Sequence, residues 1–150
     1  MRYFISGHLD LSEEEFSKNY IPLIDEALKD NECSFVIGDA TTRGNDVVSC
    51  DVASQQYLVE RGFSDKINIY HMFDSPRYIV NTEIKTTGAY IYDEDRDYAM
   101  TINSDKDIAW VRSKEEYKKL YGKFFRPNRI SGTENNLLRR QRLNTSGSIN

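Results

Sequence analysis

The chain has 150 residues and 39% hydrophobic content, enough for one compact domain with a core and too little for two ordinary domains. Its net charge of −4 argues against a general coat for duplex nucleic acid, because such binding depends on Lys and Arg neutralising phosphates. Two cysteines without metal-ligand spacing predict neither a zinc site nor a disulfide framework, so we expect no metal and no cofactor. The absence of a long apolar run and of a signal-peptide stretch predicts a cytoplasmic protein without a membrane partner.

Short apolar runs predict the β-strands. Three of them lie in the first half of the chain, at residues 3–5, 34–37 and 67–70. The run at 34–37 is typical of a central parallel strand that is buried on both faces. A fourth run at residues 108–111 predicts one more strand late in the chain.

Helical patterns occupy the intervals between the first three runs. Ser12 and Glu15 form a capping-box pattern that starts a helix at Glu13. Pro22 is expected to kink or restart this helix, because the proline ring clashes with the preceding turn. Asp46 is expected to cap or begin the next helix, which ends at Gly62.

The second half of the chain is more polar. Residues 73–93 resemble a functional loop more than a packed element. Residues 93–100 predict a short helix. Ser113 begins a charged helix with a second capping-box pattern, and this helix is expected to end around Gly122.

The alternation of strands with helices predicts the fold class. Thr133 opens the last helix, and residues 144–150 are small and polar enough to form a flexible tail. Residues 1–143 are therefore expected to form one three-layer, Rossmann-like α/β domain, with a mostly parallel central sheet and helices on both faces. Ligands of such sheets bind beyond the carboxyl ends of the strands.

Three turns of small residues are suited to binding phosphate at that edge. Glycine lets the backbone approach a phosphate, and the free N–H groups of a first helical turn then point at its oxygens. For the turn at Ser131 the alternative is an ordinary helix N-cap. For His8 the alternatives are phosphate binding, proton donation and simple exposure to solvent. The turns are Ser6-Gly7-His8, Gly38-Asp39-Ala40 and Ser131-Gly132-Thr133.

Charged side chains supply the remaining candidates for a site. Asp39 is suited to bind ribose hydroxyls or to act as a nucleophile or base. Asp97 and Asp105 are candidate nucleophiles or general acids, with a solvated helix face as the alternative. Arg96 and Asp97 are neighbours on a helix, so at most one of them is expected to point into a cleft. The further candidates for binding an anion, with surface charge as the alternative, are Arg77, Lys85 and Arg140.

One set of residues carries a resemblance to a known family, and it comprises residues 35–40, Asn45-Asp46, Ala53, Tyr57-Leu58 and residues 67–70. This set resembles the SLOG superfamily, Rossmann-like nucleotide-binding domains related to the LOG phosphoribohydrolases and DprA. The Ser131-Gly132-Thr133 turn is similar to the second phosphate loop of that group. The chain lacks the group's Gly-Gly-Gly first loop and its Pro-Gly-Gly-x-Gly-Thr-x-x-Glu motif, and Asn136 stands where the LOG enzymes have a catalytic glutamate. The resemblance spans residues 1–112 and 130–142, which makes residues 113–129 an insertion.

The resemblance implies a nucleotide or a nucleotide-derived ligand, with its phosphate on Ser6-Gly7 and the Ser131 turn and its ribose near Asp39. A more distant similarity to nucleoside 2-deoxyribosyltransferases implies attack of a carboxylate on the anomeric carbon. Two functions follow as alternatives. One is cleavage or transfer at an N-glycosidic bond, and the other is a sensor or sequestering module without chemistry. A homo-oligomer is expected in either case.

Overall fold

The computed structural model describes the backbone of residues 1–149 and the side chains of residues 1–145. The strands are β1 (Arg2–Ser6), β2 (Ser34–Ile37), β3 (Ile67–Met72), β4 (Lys85–Tyr90) and β5 (Lys106–Ala109). The helices are α1 (Glu13–Asn19), α2 (Ile21–Ala27), α3 (Cys50–Glu60), α4 (Asp93–Ile102), α5 (Lys114–Tyr121) and α6 (Gly132–Ile149), with 3₁₀ turns at Ser64–Lys66 and Gly122–Phe124.

The five strands form one sheet in the order β4-β3-β2-β1-β5, and every neighbouring pair is parallel. β1 lies between β2 and β5, with Phe4 opposite both Val36 and Asp107. β2, β3 and β4 are added in turn on the same side of β1. The chain then crosses the sheet to place β5 on the free side of β1.

Both faces of the sheet are covered, because successive side chains along a strand point to opposite faces. Ile5 lies in the larger core with side chains from α1, α2 and α3. Phe4 lies in the smaller core, where Met100 of α4 packs against the sheet. α6 packs beside α4 and β5. The three-layer, Rossmann-like α/β class predicted from the sequence is therefore confirmed.

Local signals in the sequence explain several helix boundaries. The capping boxes at Ser12 and at Ser113 both form, as predicted, and each starts its helix at the next residue. Pro22 restarts the helix, since α1 ends at Asn19 and Pro22 lies in the first turn of α2. Proline is tolerated there because the first N–H groups of a helix have no intrahelical partner.

Two predictions about the region between residues 46 and 93 are wrong. Residues 73–93 contain β4, a strand that the loop interpretation missed, and its side chains are exposed or half-buried. Asp46 neither caps nor begins a helix, because its φ of 56° is left-handed. Ser49 caps α3 instead, and its hydroxyl accepts a hydrogen bond from the Val52 N–H at 3.0 Å.

The C-terminal helix is longer than the sequence suggested. Residues 144–150 were expected to be a flexible tail, whereas α6 continues through Ile149 and residue 150 lies outside the described residues. Among the residues that the structure describes, none of the helices combines the length and the apolar composition that a membrane crossing requires.

Gly7 is required by the packing where β1 ends. A Cβ atom at this position would lie 2.6 Å from Cys50 Cβ and would also overlap Tyr20 Oη. We expect Gly7→Ala to lower the free energy of unfolding by about 1–3 kcal/mol, the usual cost of overpacking a core. Urea denaturation measures this loss. Gly132→Ala is the matched control, because its Cβ would meet nothing within 4 Å, and equal losses in the two variants would contradict the packing argument.

Candidate functional site

Buried polar side chains gather at the carboxyl edge of the sheet. The strand order reverses between β1 and β5, and ligands of open α/β sheets bind beside such a reversal. One hydroxyl in the group, Ser6 Oγ at the end of β1, has no hydrogen-bond partner among the described residues. The buried polar residues on or beside this edge include Ser6, His8, Asp39, Asp51, Arg96, Arg112, Thr133 and Asn136.

Asp39 follows β2 and is fully buried. Its carboxylate accepts hydrogen bonds from the backbone N–H groups of Met72 at 3.2 Å and Arg77 at 2.9 Å. The guanidinium groups of Arg77 and Arg96 also donate to it, at 3.0 and 2.7 Å. Burial alone would raise the pKa of Asp39, but the hydrogen bonds and charge of Arg77, together with the Met72 N–H, hold it below the ordinary value. Both oxygens are occupied, so Asp39 joins β2 to α4 and to the loop after β3.

Asp51 is a buried carboxylate that the sequence analysis did not single out. It lies in the first turn of α3 and accepts a hydrogen bond from the Ala40 N–H at 2.9 Å. Gly38 makes room for it, because a Cβ there would lie 2.7 Å from Asp51 Oδ2. Burial raises the pKa of Asp51 to about 6, against the attraction of Arg96 and with help from the negative charges of Asp97 and Asp39.

This pKa predicts a pH dependence of stability. Because the folded value of about 6 exceeds the ordinary 3.8, the folded chain holds this proton more tightly than the unfolded chain does. The resulting stabilisation is complete below pH 4 and is lost as the pH rises through 6. We expect the unfolding free energy of the parent protein, minus that of Asp51→Asn, to fall by about 1.4 kcal/mol per pH unit in this window. Urea denaturation from pH 4 to 7 measures the difference.

The control for this pH series is Asp95→Asn, which changes an exposed carboxylate on α4. Its difference from the parent protein should stay within about 0.5 kcal/mol throughout the series, as is usual for surface substitutions. A constant difference for Asp51→Asn as well would contradict the raised pKa.

Asp97 lies close to Asp51 on the same side of the site. Its side chain is 16% exposed, and the neighbouring Arg96 donates to its carboxylate at 3.1 Å. Burial raises the pKa of Asp97 above its ordinary value, although Arg96 acts in the opposite direction. Arg96 and Asp97 were expected to diverge on the helix. They contact each other because the Arg96 side chain extends between the Asp39 and Asp97 carboxylates.

Arg112, a second residue that the sequence analysis missed, fills the space beyond the ends of β1 and β5. Its side chain is 1% exposed and forms ion pairs with Asp10 and Glu15, each at 2.8 Å. The Arg112 backbone N–H also donates to His8 Nε2 at 3.1 Å. The sequence offers no signal for this role, because the partners of Arg112, Asp10 and Glu15, lie about one hundred residues away in the chain.

The 113–129 segment, predicted to be an insertion, contributes to the same region. It contains α5, and the hydroxyl of Tyr117 lies 3.1 Å from His8 Nδ1. Tyr121, one turn later, donates a short hydrogen bond to the Asp10 carboxylate. The segment therefore covers the reversal point between β1 and β5.

The start of α6 borders this region. Ser131 Oγ accepts a hydrogen bond from the Glu134 N–H at 3.1 Å, so the N-cap alternative describes what this side chain does in the fold. Thr133 and Asn136 are buried, and the Asn136 amide oxygen accepts a hydrogen bond from Arg139 at 2.6 Å. Gly132 has open space where a side chain would be.

Three predicted site residues lie away from this edge. Asp105 accepts a hydrogen bond from the Arg2 N–H at 2.8 Å, beside the start of β1. Arg140 donates to the Ser104 carbonyl at 2.7 Å and pairs with Asp107 of β5. Lys85 is exposed at the first position of β4. An open depression of about 420 Å³ at this opposite edge includes Asp105 in its lining.

Comparison of the chain with protein-family models, with curated proteins and with solved structures finds no match in any of the three. Within the part of the chain whose side chains are described, no group of three or more His, Cys, Asp and Glu residues is arranged to hold a metal ion. The class that the geometry defines is a Rossmann-like α/β domain with a buried, charged cluster at the carboxyl edge of its sheet.

Proposed function

We propose that this protein binds a nucleotide or a nucleotide-derived ligand at the carboxyl edge of its sheet. The observation that carries the proposal is the concentration of buried polar groups along this carboxyl edge, with Ser6 Oγ left without a hydrogen-bond partner among the described residues. Buried polar groups cost free energy unless they are hydrogen-bonded, so an unpartnered hydroxyl at a ligand-binding edge favours a bound polar group.

The phosphate of the ligand belongs, in this proposal, at the start of α6. This helix has 18 residues, so the positive end of its dipole lies at its start. The N–H groups of Gly132 and Thr133 precede the Glu134 N–H that Ser131 caps, and they have no intrahelical partner. Gly132 leaves the backbone accessible. Arg112 does not serve as the phosphate ligand, because Asp10 and Glu15 already bind its guanidinium.

Thermal unfolding against a panel of nucleosides, nucleotides, cyclic dinucleotides and ADP-ribose-type compounds tests the binding. A ligand that binds only the folded state raises the Tm by mass action. We expect at least one phosphorylated member to do so, and Thr133→Val to weaken the effect by about fivefold in Kd, as for one lost hydrogen bond. The matched control is Thr145→Val, which removes an exposed hydroxyl from the same helix. No response to any member would contradict the proposal.

A second candidate function is cleavage or transfer at an N-glycosidic bond. The observation that favours it is the pair Asp51 and Asp97, two shielded carboxylates whose pKa values are both raised. A carboxyl with a pKa of about 6 is suited to donate a proton to a leaving base, while an ionised partner stabilises the oxocarbenium-like centre. Mass spectrometry of each protein and ligand mixture separates the alternatives. Free base with sugar phosphate indicates the enzyme, whereas stabilisation without conversion indicates a sensor.

Self-association and a cytoplasmic location stay predictions from the sequence. Light scattering on the purified protein measures the first, and imaging of a tagged chain in its host measures the second.

A further inference from the structure

We propose that α6 is a dimerisation surface, on which a second copy of this chain packs its own α6 antiparallel, with a two-fold axis at Leu138. The proposal goes beyond ligand binding and does not depend on it. Three observations carry it: the polar face that α6 turns toward the rest of the chain, the leucine that it turns to solvent, and the opposite charges that flank this leucine.

α6 packs against the rest of the chain through polar side chains. Thr133, Asn136 and Arg140 are buried and follow the i, i+3, i+7 spacing of one helix face. Arg140 donates to the Ser104 carbonyl at 2.7 Å and pairs with Asp107 at 3.1 Å. A surface helix of a globular domain ordinarily buries its apolar side chains and exposes its charged ones. The arrangement in α6 is the reverse.

The leucines of α6 lie outside this buried face. Leu138 comes two residues after Asn136 and two before Arg140. Because each residue turns an α-helix by about 100°, Leu138 projects from the side opposite to both of them. The three leucines that are 37–42% exposed are Leu137, Leu138 and Leu143. An open depression of about 500 Å³ on this outer side is lined by Leu138, Gln141, Arg142 and Thr145.

Opposite charges flank Leu138 along the helix. Glu134 lies one turn before it and Arg142 one turn after it, so the three side chains form one row. Glu134 and Arg142 are about 12 Å apart along the axis, too far to pair with each other. Among the residues whose side chains the structure describes, the ion pairs of α6 are made by Arg139 and Arg140. Both charges in the row are therefore available to a partner.

A two-fold axis at Leu138 satisfies both charges at once. In an antiparallel pair of helices centred on this residue, a side chain one turn before the axis faces a side chain one turn after it. Glu134 therefore lies beside Arg142 of the partner subunit, and the symmetry repeats this ion pair on the other side of the axis. A parallel pair would place like charges together. The charge pattern thus favours a second copy in the antiparallel orientation.

Sedimentation velocity over a concentration series is the first test. We expect a monomer–dimer equilibrium with a weak dimer, because one helix from each protomer makes a small interface. Arg142→Glu and Glu134→Arg should each raise the dimer Kd about tenfold or more, since each replaces two ion pairs by two like-charge contacts. The double variant exchanges the charges and should regain most of the affinity. The matched control is Lys18→Glu, the same charge reversal at an exposed position of α1.

Leu138→Cys provides a second test, which needs no loss of affinity. Two copies of residue 138 meet on the axis, so the new thiols should form an intermolecular disulfide when copper phenanthroline and oxygen take up the two electrons and two protons released. The native Cys33 and Cys50 are buried and should stay reduced. Leu23→Cys, at an exposed leucine of α2, is the control and should cross-link much more slowly.

Three sedimentation results would overturn the proposal: a monomer at every concentration, a dimer that neither charge reversal weakens, or a double variant that recovers no affinity. Equal cross-linking rates for Leu138→Cys and Leu23→Cys would overturn it as well, because they indicate random collision. None of these measurements includes a nucleotide. The dimer can therefore fail while the proposed ligand binding stands, and the reverse.

Discussion

Replacement of Asp39 by alanine is expected to lower the free energy of unfolding by about 3–5 kcal/mol, because removing one partner of a buried ion pair leaves an uncompensated charge. Arg96, whose side chain is 8% exposed, donates to Asp39 at 2.7 Å and would lose this fully buried partner. It would keep the more exposed carboxylates of Asp93 and Asp97. The backbone N–H groups of Met72 and Arg77 lose their acceptor as well. The loss therefore loosens β2 from β3 and from α4 at once.

Chemical denaturation measures this effect, and Asp74→Ala is the matched control. Asp74 is exposed in the loop after β3, a few residues from Arg77. Its replacement should change the unfolding free energy by no more than about 0.5 kcal/mol, as surface substitutions usually do. A loss below about 1 kcal/mol for Asp39→Ala would show that the arginines find other partners, and the assignment of Asp39 as a structural junction would fall.

Asp97→Asn is expected to reduce turnover by about 10²–10⁴-fold if the protein cleaves or transfers at an N-glycosidic bond. The amide keeps the size of the side chain but cannot carry the charge that stabilises an oxocarbenium-like centre. The ligand-induced rise in Tm should persist, because the substitution leaves the start of α6 intact. Product formation and Tm shift are measured on the same samples.

Asp95→Asn on the same helix is the control for Asp97→Asn, since Asp95 is exposed and two residues away. It should leave turnover unchanged. Undiminished turnover in Asp97→Asn would exclude Asp97 from the chemistry, and Asp51→Asn would then be the next variant to measure. Loss of both binding and turnover would indicate that Asp97 binds the ligand or stabilises the fold.

Much of the fold was predictable because its signals are local. Residues 34–37 form β2 as their unbroken apolar run predicts, since a strand buried on both faces has no polar face. The capping boxes marked the starts of α1 and α5 to the residue. The parallel arrangement followed from the helices between the strands.

The features that sequence reasoning missed depend on contacts between distant segments. β4 has mostly exposed side chains, so no apolar run marks it, and pairing with β3 through the backbone defines it as an edge strand. Asp51 lies in the first turn of α3, and an acid at such a position ordinarily indicates a favourable interaction with the helix dipole. The burial of Asp51 arises only because Gly38 lets α3 approach β2. Arg112 acquires its role from Asp10 and Glu15, about one hundred residues away.

The position of β1 between β2 and β5 has a consequence for protein synthesis. β1 leaves the ribosome first, yet one side of it stays unpaired until Lys106–Ala109 has been made, because Ser6 lies opposite Ala109. Until then its free N–H and C=O groups are a template for pairing with another chain. A nascent chain that stalls before β5 therefore exposes one edge of a strand that lies inside the finished sheet, and the addition of β5 covers that edge.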